Sequence, residues 1–217
     1  MKSEEIYAIG YPAKEAFLPF IRFVSKYANK EDRILDVGGG EGAYSAELNN
    51  RGFNSICIDI DKYYIKKSKN RGVESYVMDA TCLDFPDKSF DIILLFEVME
   101  HIKNVNSVLN EARRVAKKYV LITVPNCNGL KKLKGLHLTY DHFLATDHIN
   151  FFTKKDLEDL LSKHFKKFRV EEREPLAFFG VIGLPWWLRY PILALYRLKL
   201  IKSEIYYRLY AVAEVAQ

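Results

Sequence analysis

Cysteines, long apolar runs and repeats are what this 217-residue sequence has least of. Its three cysteines, Cys57, Cys82 and Cys127, are widely spaced and form no CxxC pair. They give no sign of a disulfide framework and fit reduced, buried thiols in a cytoplasmic protein. No uninterrupted apolar run approaches the roughly 20 residues a membrane-spanning helix needs. The opening Met1-Lys2-Ser3-Glu4-Glu5 lacks the apolar core of a signal peptide. Internal repeats, linkers and low-complexity tracts are missing, as is any long block of one charge. The net charge of +5 comes largely from scattered pairs such as Lys66-Lys67, Lys117-Lys118, Lys154-Lys155 and Lys166-Lys167. Such pairs fit solvated helix faces better than a nucleic-acid footprint. With 49% hydrophobic and 28% charged residues, the chain reads as one globular domain over residues 1–217.

What is present is an alternation of short apolar strands and helices. Phe17, Leu18, Phe20, Ile21 and Val24 predict an amphipathic helix between Ala13 and Tyr27, with Pro19 marking a kink or a later start. Strands follow at Ile34–Val37, Ser55–Ile58, Glu74–Met78, Phe90–Phe96 and Tyr119–Val124, separated by helices near Tyr44–Asn50, Tyr63–Lys69 and Val105–Lys117. The fourth strand is apolar nearly throughout and is expected to be buried on both faces. This order predicts an α/β, doubly wound, mostly parallel sheet with every strand C-terminus along one edge. Asp36, Asp59, Asp79 and Glu97 all fall at or just after those ends. Thr153-Lys154-Lys155-Asp156 opens a further helix in the manner of a capping box. Lys167–Glu171 reads as another strand, and Tyr206–Val215 as a final antiparallel edge-region strand. The core spans about residues 30–175, with 176–205 as an aromatic-rich insertion or lid.

The first strand runs into Asp36-Val37-Gly38-Gly39-Gly40-Glu41-Gly42-Ala43, a glycine turn at a helix start, where such sheets bind nucleotide-like ligands. Gly38-x-Gly40-x-x-Ala43 satisfies a dinucleotide fingerprint, with Asp59 near the distance expected for a ribose-binding acid. Gly38-x-Gly40-x-Gly42, preceded by Asp36-Val37, instead resembles motif I of class I S-adenosylmethionine-dependent methyltransferases. Cys57-Ile58-Asp59-Ile60-Asp61, Met78-Asp79-Ala80 with Asp87–Asp91, and Phe96-Glu97-Val98-Met99-Glu100-His101 are similar to three further motifs of that family. The match runs from Arg33 to Asn126 and more weakly from His148 to Phe165. It is nearest the small-molecule branch that includes quinone-biosynthesis and glycan- or lipid-modifying enzymes. Where that family has Pro-Gly-Gly before strand five, this chain has Ala116-Lys117-Lys118-Tyr119.

The resemblance implies a seven-stranded Rossmann-like sheet and S-adenosyl-L-methionine as cofactor. Gly38, Gly40 and Gly42 would give the cofactor close backbone approach, with Asp36 near its ammonium or sulfonium end. Asp59 and Ile60 would hold the ribose region, Asp79 and Ala80 the adenine, and Glu97 the methionyl group. Carboxylates suit a cationic cofactor, whereas a pyrophosphate would be repelled. Strand-end turn formation is the lesser alternative for Asp36 and Asp79, whereas for Gly39 a structural role is the better reading.

Methyl transfer to a hydroxyl also calls for a base, and histidine suits neutral pH. His148 and His101 are the candidates, with a structural hydrogen-bonding role as the alternative for each. A metal site built from His137, His142, His148, Asp141 and Asp147 is not expected, because their spacing on a loop is irregular. Residues 176–200 interleave Trp186, Trp187, Tyr190 and Tyr196 with Arg189, Arg197 and Lys199. That composition suits a lid, a peripheral membrane contact, a homodimer face or plain packing. The reading is thus a cytoplasmic methyltransferase for a small-molecule, lipid- or glycan-linked acceptor, with oxygen the preferred atom. RNA or protein methylation, and a silent cofactor-binding scaffold, are the alternatives. No motif identifies the acceptor.

Overall fold

The computed structural model describes residues 16–128, 147–175 and 206–215, with isolated positions between 187 and 200. Strand β4 (Phe90–Phe96) organises the sheet, and its side chains alternate between two cores. Ile93 and Leu95 enter one core, and Ile92, Leu94 and Phe96 the other. A strand buried this way needs cover on both faces. Helices α1 (Leu18–Tyr27) and α2 (Ala43–Asn50) supply it on one face. Helices α4 (Val105–Val115) and α5 (Lys154–Ser162) supply it on the other. Helix α3 (Lys62–Asn70) closes a small third cluster through Ile65, packed with Cys57 and Val73.

Strand β1 (Arg33–Val37) pairs in parallel with both β2 (Asn54–Asp59) and β4. On the outer sides β2 pairs with β3 (Ser75–Val77) and β4 with β5 (Ala116–Pro125), again in parallel. Strand β7 (Tyr206–Glu214) runs antiparallel to β5 and to β6 (Lys167–Pro175). The sheet therefore has seven strands in the order β3-β2-β1-β4-β5-β7-β6. Chain order reverses between β1 and β4, the switch point at which open α/β sheets bind ligands.

Some sequence expectations hold and others are corrected in detail. β7 lies in the expected antiparallel edge region, one strand in from the edge between β5 and β6, with Leu209, Ala211 and Ala213 wholly buried. The charged β6, with Lys167, Arg169, Glu171 and Glu172, takes the edge, where charge discourages further strand pairing. Helix α1 has the later start that Pro19 signalled, opening at Leu18 with Pro19 in its first turn, where a missing N–H costs nothing. Strand β5 begins at Ala116, three residues before its expected start, and takes in Lys117 and Lys118. Lys118 reaches Asp32 at 2.5 Å and Asp91 at 3.4 Å, at the sheet end opposite the strand C-termini. Cys57 and Cys127 are buried free thiols, but Cys82 is exposed. The expected capping box is present, with Asp156 N–H donating to Thr153 Oγ1 at 3.2 Å and Thr153 N–H to Asp156 Oδ2 at 2.9 Å. Among the described residues no helix is long and apolar enough to cross a membrane. The central histidine-rich loop (129–146) and most of the 176–200 segment lie outside the described residues.

Because Leu94 is fully buried in the central strand, Leu94→Ala is expected to cost about 2–5 kcal/mol. Thr153→Ala, which removes a cap, is expected to cost about 1 kcal/mol. Urea unfolding of the two variants checks that ordering.

Candidate cofactor and active site

Beyond Val37 the chain turns sharply, and its glycines are required for different reasons. A Cβ at Gly38 would lie 2.8 Å from Val98 Cγ2, so β1 and the end of β4 close on each other there. At Gly39 a Cβ would lie 2.6 Å from Asp36 Oδ2 and 2.7 Å from Cys57 Sγ, which makes this glycine a packing requirement. At Gly42 it would lie 2.0 Å from Ser68 Oγ. Gly40 differs: its φ is +55°, and a Cβ there would meet nothing within 4 Å. Gly40 is the glycine whose side faces open space, as close backbone approach to a ligand requires.

The acids sit around this turn. Asp36 is 1% exposed and accepts a hydrogen bond from Ser45 Oγ at 3.0 Å. Burial pushes its carboxyl up to about 7 despite that bond, and the charge of Asp59 adds to the effect. Asp59 accepts from the Gly40 amide at 3.0 Å through Oδ2 and from the Asp61 amide at 2.9 Å through Oδ1. Burial also raises its carboxyl, against those backbone donors. Each carboxylate oxygen can accept a second donor, so ribose hydroxyls are not shut out. The Met78 amide donates to Asp59 O at 3.0 Å and brings Asp79 and Ala80 to the same edge. Asp79 Oδ1 accepts from Thr81 N and Oγ1, both at 2.8 Å, a turn-forming role that leaves Oδ2 outside the turn. Ile60 is 70% exposed at the end of β2.

Glu97, just past β4, holds a left-handed backbone with φ 54°, a strained state for a residue with a side chain. Its Oε2 accepts from Arg208 Nε at 3.1 Å, while Oε1 is buried with no partner among the described residues. Arg208 also pairs with Glu174, which accepts in turn from the Tyr210 hydroxyl at 2.5 Å. Burial disfavours the guanidinium charge, but Glu97 and Glu174 outweigh it and hold Arg208 protonated. The sequence reading missed Arg208. Its signal was a lone arginine inside the apolar run Tyr206–Val212.

The histidines meet one turn further on. Met99–His101 forms a single 3-10 turn containing Glu100, which is 1% exposed with neither carboxylate oxygen partnered among the described residues. Burial, and then the charge of Glu97, push the Glu100 carboxyl well above the ordinary range. Asn150 Nδ2 donates to Met99 O at 2.8 Å and Ile102 O at 2.7 Å, clamping residues 147–150 against the turn. This sets His101 and His148 edge to face, with ring centroids 4.8 Å apart. His101 Nδ1 lies 3.2 Å from Asp147 Oδ2. One ligand atom each from Glu100, His101 and His148 falls within 4.8 Å of the others. Of the loop set weighed as a metal site, His137, Asp141 and His142 lie outside the described residues. Glu100 and Asn150 were not foreseen, although Glu100 stands three residues after Glu97.

A glycine turn and carboxylates at the switch point define a nucleotide-type ligand edge of a Rossmann-like sheet. A model of the methyltransferase domain matches residues 11–164, and the chain belongs to that family, in its class I S-adenosylmethionine-dependent form. The chain is 30% identical over 145 residues to a ubiquinone biosynthesis O-methyltransferase of Rickettsia bellii, covering 64% of this chain and 58% of that one. It is 28% identical over 151 residues to the eEF1A lysine and N-terminal methyltransferase of Bos taurus, covering 61% of this chain and 22% of that one. It is also 34% identical over 114 residues to an uncharacterized protein of Methanocaldococcus jannaschii, of which it spans 48% while half of this chain is covered. In fold it is similar to a SAM-dependent methyltransferase from Archaeoglobus fulgidus, with TM-score 0.69, 20% identity and 90% and 91% of the two chains covered. A Haemonchus contortus phosphoethanolamine N-methyltransferase solved with S-adenosyl-L-methionine gives TM-score 0.64 at 16% identity, over 99% of this chain and 56% of that one. S-adenosylmethionine is the cofactor of this family.

Gly40→Ala is expected to weaken binding of S-adenosylhomocysteine at least tenfold while costing about 1–2 kcal/mol from left-handed backbone strain. Gly39→Ala, which drives a methyl group into Asp36 and Cys57, is expected to lower the melting temperature far more. Calorimetric titration and thermal unfolding of both variants separate the two roles.

Asp36 has a raised folded pKa, so its contribution to stability is complete below about pH 4 and is lost as pH rises toward about 7. Asp36→Asn is therefore expected to stabilise the cofactor-free protein, by about 2–3 kcal/mol more at pH 8 than at pH 5. Thermal unfolding at the two pH values checks the sign; an equal or smaller gain at pH 8 contradicts it.

Proposed function

We propose that this protein transfers the methyl group of S-adenosylmethionine to an oxygen of a small-molecule, lipid- or glycan-linked acceptor. The observation that carries the reading is the sequence of groups along one sheet edge: Asp59 and Gly40 on the nucleoside side, Glu97 beyond them, and the His101–His148 pair next. A donor with a sulfonium and an ammonium group matches carboxylates, and the histidines stand on the acceptor side, where a hydroxyl must lose its proton. The acceptor oxygen attacks the methyl carbon in line with the leaving sulfur. A C–O bond forms, the C–S bond breaks, and its electron pair stays on sulfur as S-adenosylhomocysteine. Alignment and exclusion of water supply much of the rate. The likeness to an O-methyltransferase of ubiquinone biosynthesis supports oxygen as the atom methylated. The aromatic and basic composition of residues 176–200 supports an acceptor met at a membrane surface.

A protein acceptor is the second reading, favoured by the likeness to the eEF1A methyltransferase. Incubating the purified chain with methyl-labelled S-adenosylmethionine and a host extract, then separating lipid, small-molecule, glycan, protein and RNA fractions, decides between them. Label on a hydroxyl in one of the first three fractions is expected. Label confined to protein or RNA overturns the acceptor class. No label anywhere, from a chain that binds S-adenosylhomocysteine, leaves a silent cofactor-binding scaffold.

A further inference from the structure

We infer that Glu100, His101 and His148 form a binding site for a divalent first-row transition ion of the Mn2+ or Zn2+ kind, on the acceptor side of the cofactor site. The argument starts from Glu100. Its side chain is buried, and neither oxygen has a hydrogen-bond partner among the described residues. Arg208 directs its N–H groups to Glu97 and Glu174. A buried carboxylate with no hydrogen-bond partner is costly, by several kcal/mol. A cation resolves it.

The neighbours of Glu100 are metal ligands. Ligand atoms from Glu100, His101 and His148 lie within 4.8 Å of one another. Around one ion at about 2.1 Å, ligand atoms stand roughly 3–4 Å apart, so small side-chain rotations complete the set. Asp147 supports the same reading: its carboxylate lies 3.2 Å from His101 Nδ1. The ring's own hydrogen bond runs from Nδ1–H to the Asp147 backbone carbonyl at 3.3 Å, the kind of backbone contact that orients metal-bound imidazoles. Asn150 holds the two backbone segments together. A histidine acting alone as a base would leave Glu100 without a role.

Two imidazoles and one carboxylate suit Mn2+, Fe2+, Co2+ or Zn2+ better than Mg2+ or Ca2+, which take oxygen ligands. Three protein ligands leave coordination positions open. Resting on the proposed oxygen transfer, an acceptor hydroxyl in such a position becomes more acidic, and its proton passes to solvent before the oxygen attacks the methyl carbon. The ion's oxidation state does not change.

The test uses the tag-free full chain, stripped of metal with a chelator and dialysed. Mn2+ binding is followed by loss of the free-ion electron paramagnetic resonance signal, and Zn2+ binding by calorimetry. One ion per chain is expected. Glu100→Gln and His148→Gln should each weaken binding at least 100-fold. Circular dichroism verifies that each variant is folded. A folded wild type that takes up no stoichiometric ion overturns the site, as do Glu100→Gln and His148→Gln variants that bind like wild type. S-adenosylhomocysteine titration of the same samples separates the two readings. Cofactor binding without metal binding sinks the ion site alone, and metal binding without cofactor binding sinks the transferase reading.

Discussion

The hydrogen bond from the Gly40 amide to Asp59 is the constraint on which the site depends. It ties the turn after β1 to the end of β2. The amides of Gly38 and Gly39 reinforce the tie by donating to Ile58 O at 2.8 and 3.1 Å. From Asp59 the connection passes through the Met78 amide to Asp79. On the other side it runs from Gly38 against Val98 to Glu97 and Arg208. Residues from four separate strand ends thus share one edge because the backbone between them is closely bonded and leaves no slack.

That edge concentrates negative charge in places where water is scarce. Asp36 and Glu100 are buried, and burial works against their ionisation. Arg208 offsets part of the charge by sitting between Glu97 and Glu174, with the Phe17 and Phe20 rings 5.2 and 5.4 Å from its guanidinium carbon. Among the described residues, Arg208 is the buried cation set against this acidity. The cost appears in the empty protein, where carboxylates are held near neutrality by their surroundings.

Much of this was legible in the sequence because it rests on local pattern. Short apolar runs ending in Asp36, Asp59 and Glu97 marked the strand ends, and glycines at 38, 40 and 42 marked the turn. Thr153 and Asp156 announced the start of α5. What could not be read depended on partners far apart in the chain. Arg208 is 111 residues from Glu97, and nothing near Tyr206 reports which strand it will face. Asn150 looks like any loop asparagine until its amide spans two carbonyls of the 3-10 turn. β7 was legible as an antiparallel strand of the edge region, but not that the charged β6 would take the edge itself. Gly39 stood in the same motif as Gly40, and only the crowding around each separates packing from ligand approach.

The position of β7 has a consequence for how the molecule comes into being. The strand that emerges last from the ribosome of all seven inserts between two made earlier, β5 and β6. Until it arrives, β5 exposes an open edge, β6 has no neighbour in the sheet, and Glu97 lacks its arginine. Arg208 reaches Glu97 only when residues 206–214 dock. Charge balance in the site is therefore coupled to completion of the fold, and a nascent chain stalled before Tyr206 would carry the glycine turn without the electrostatics that suit it to a cationic cofactor.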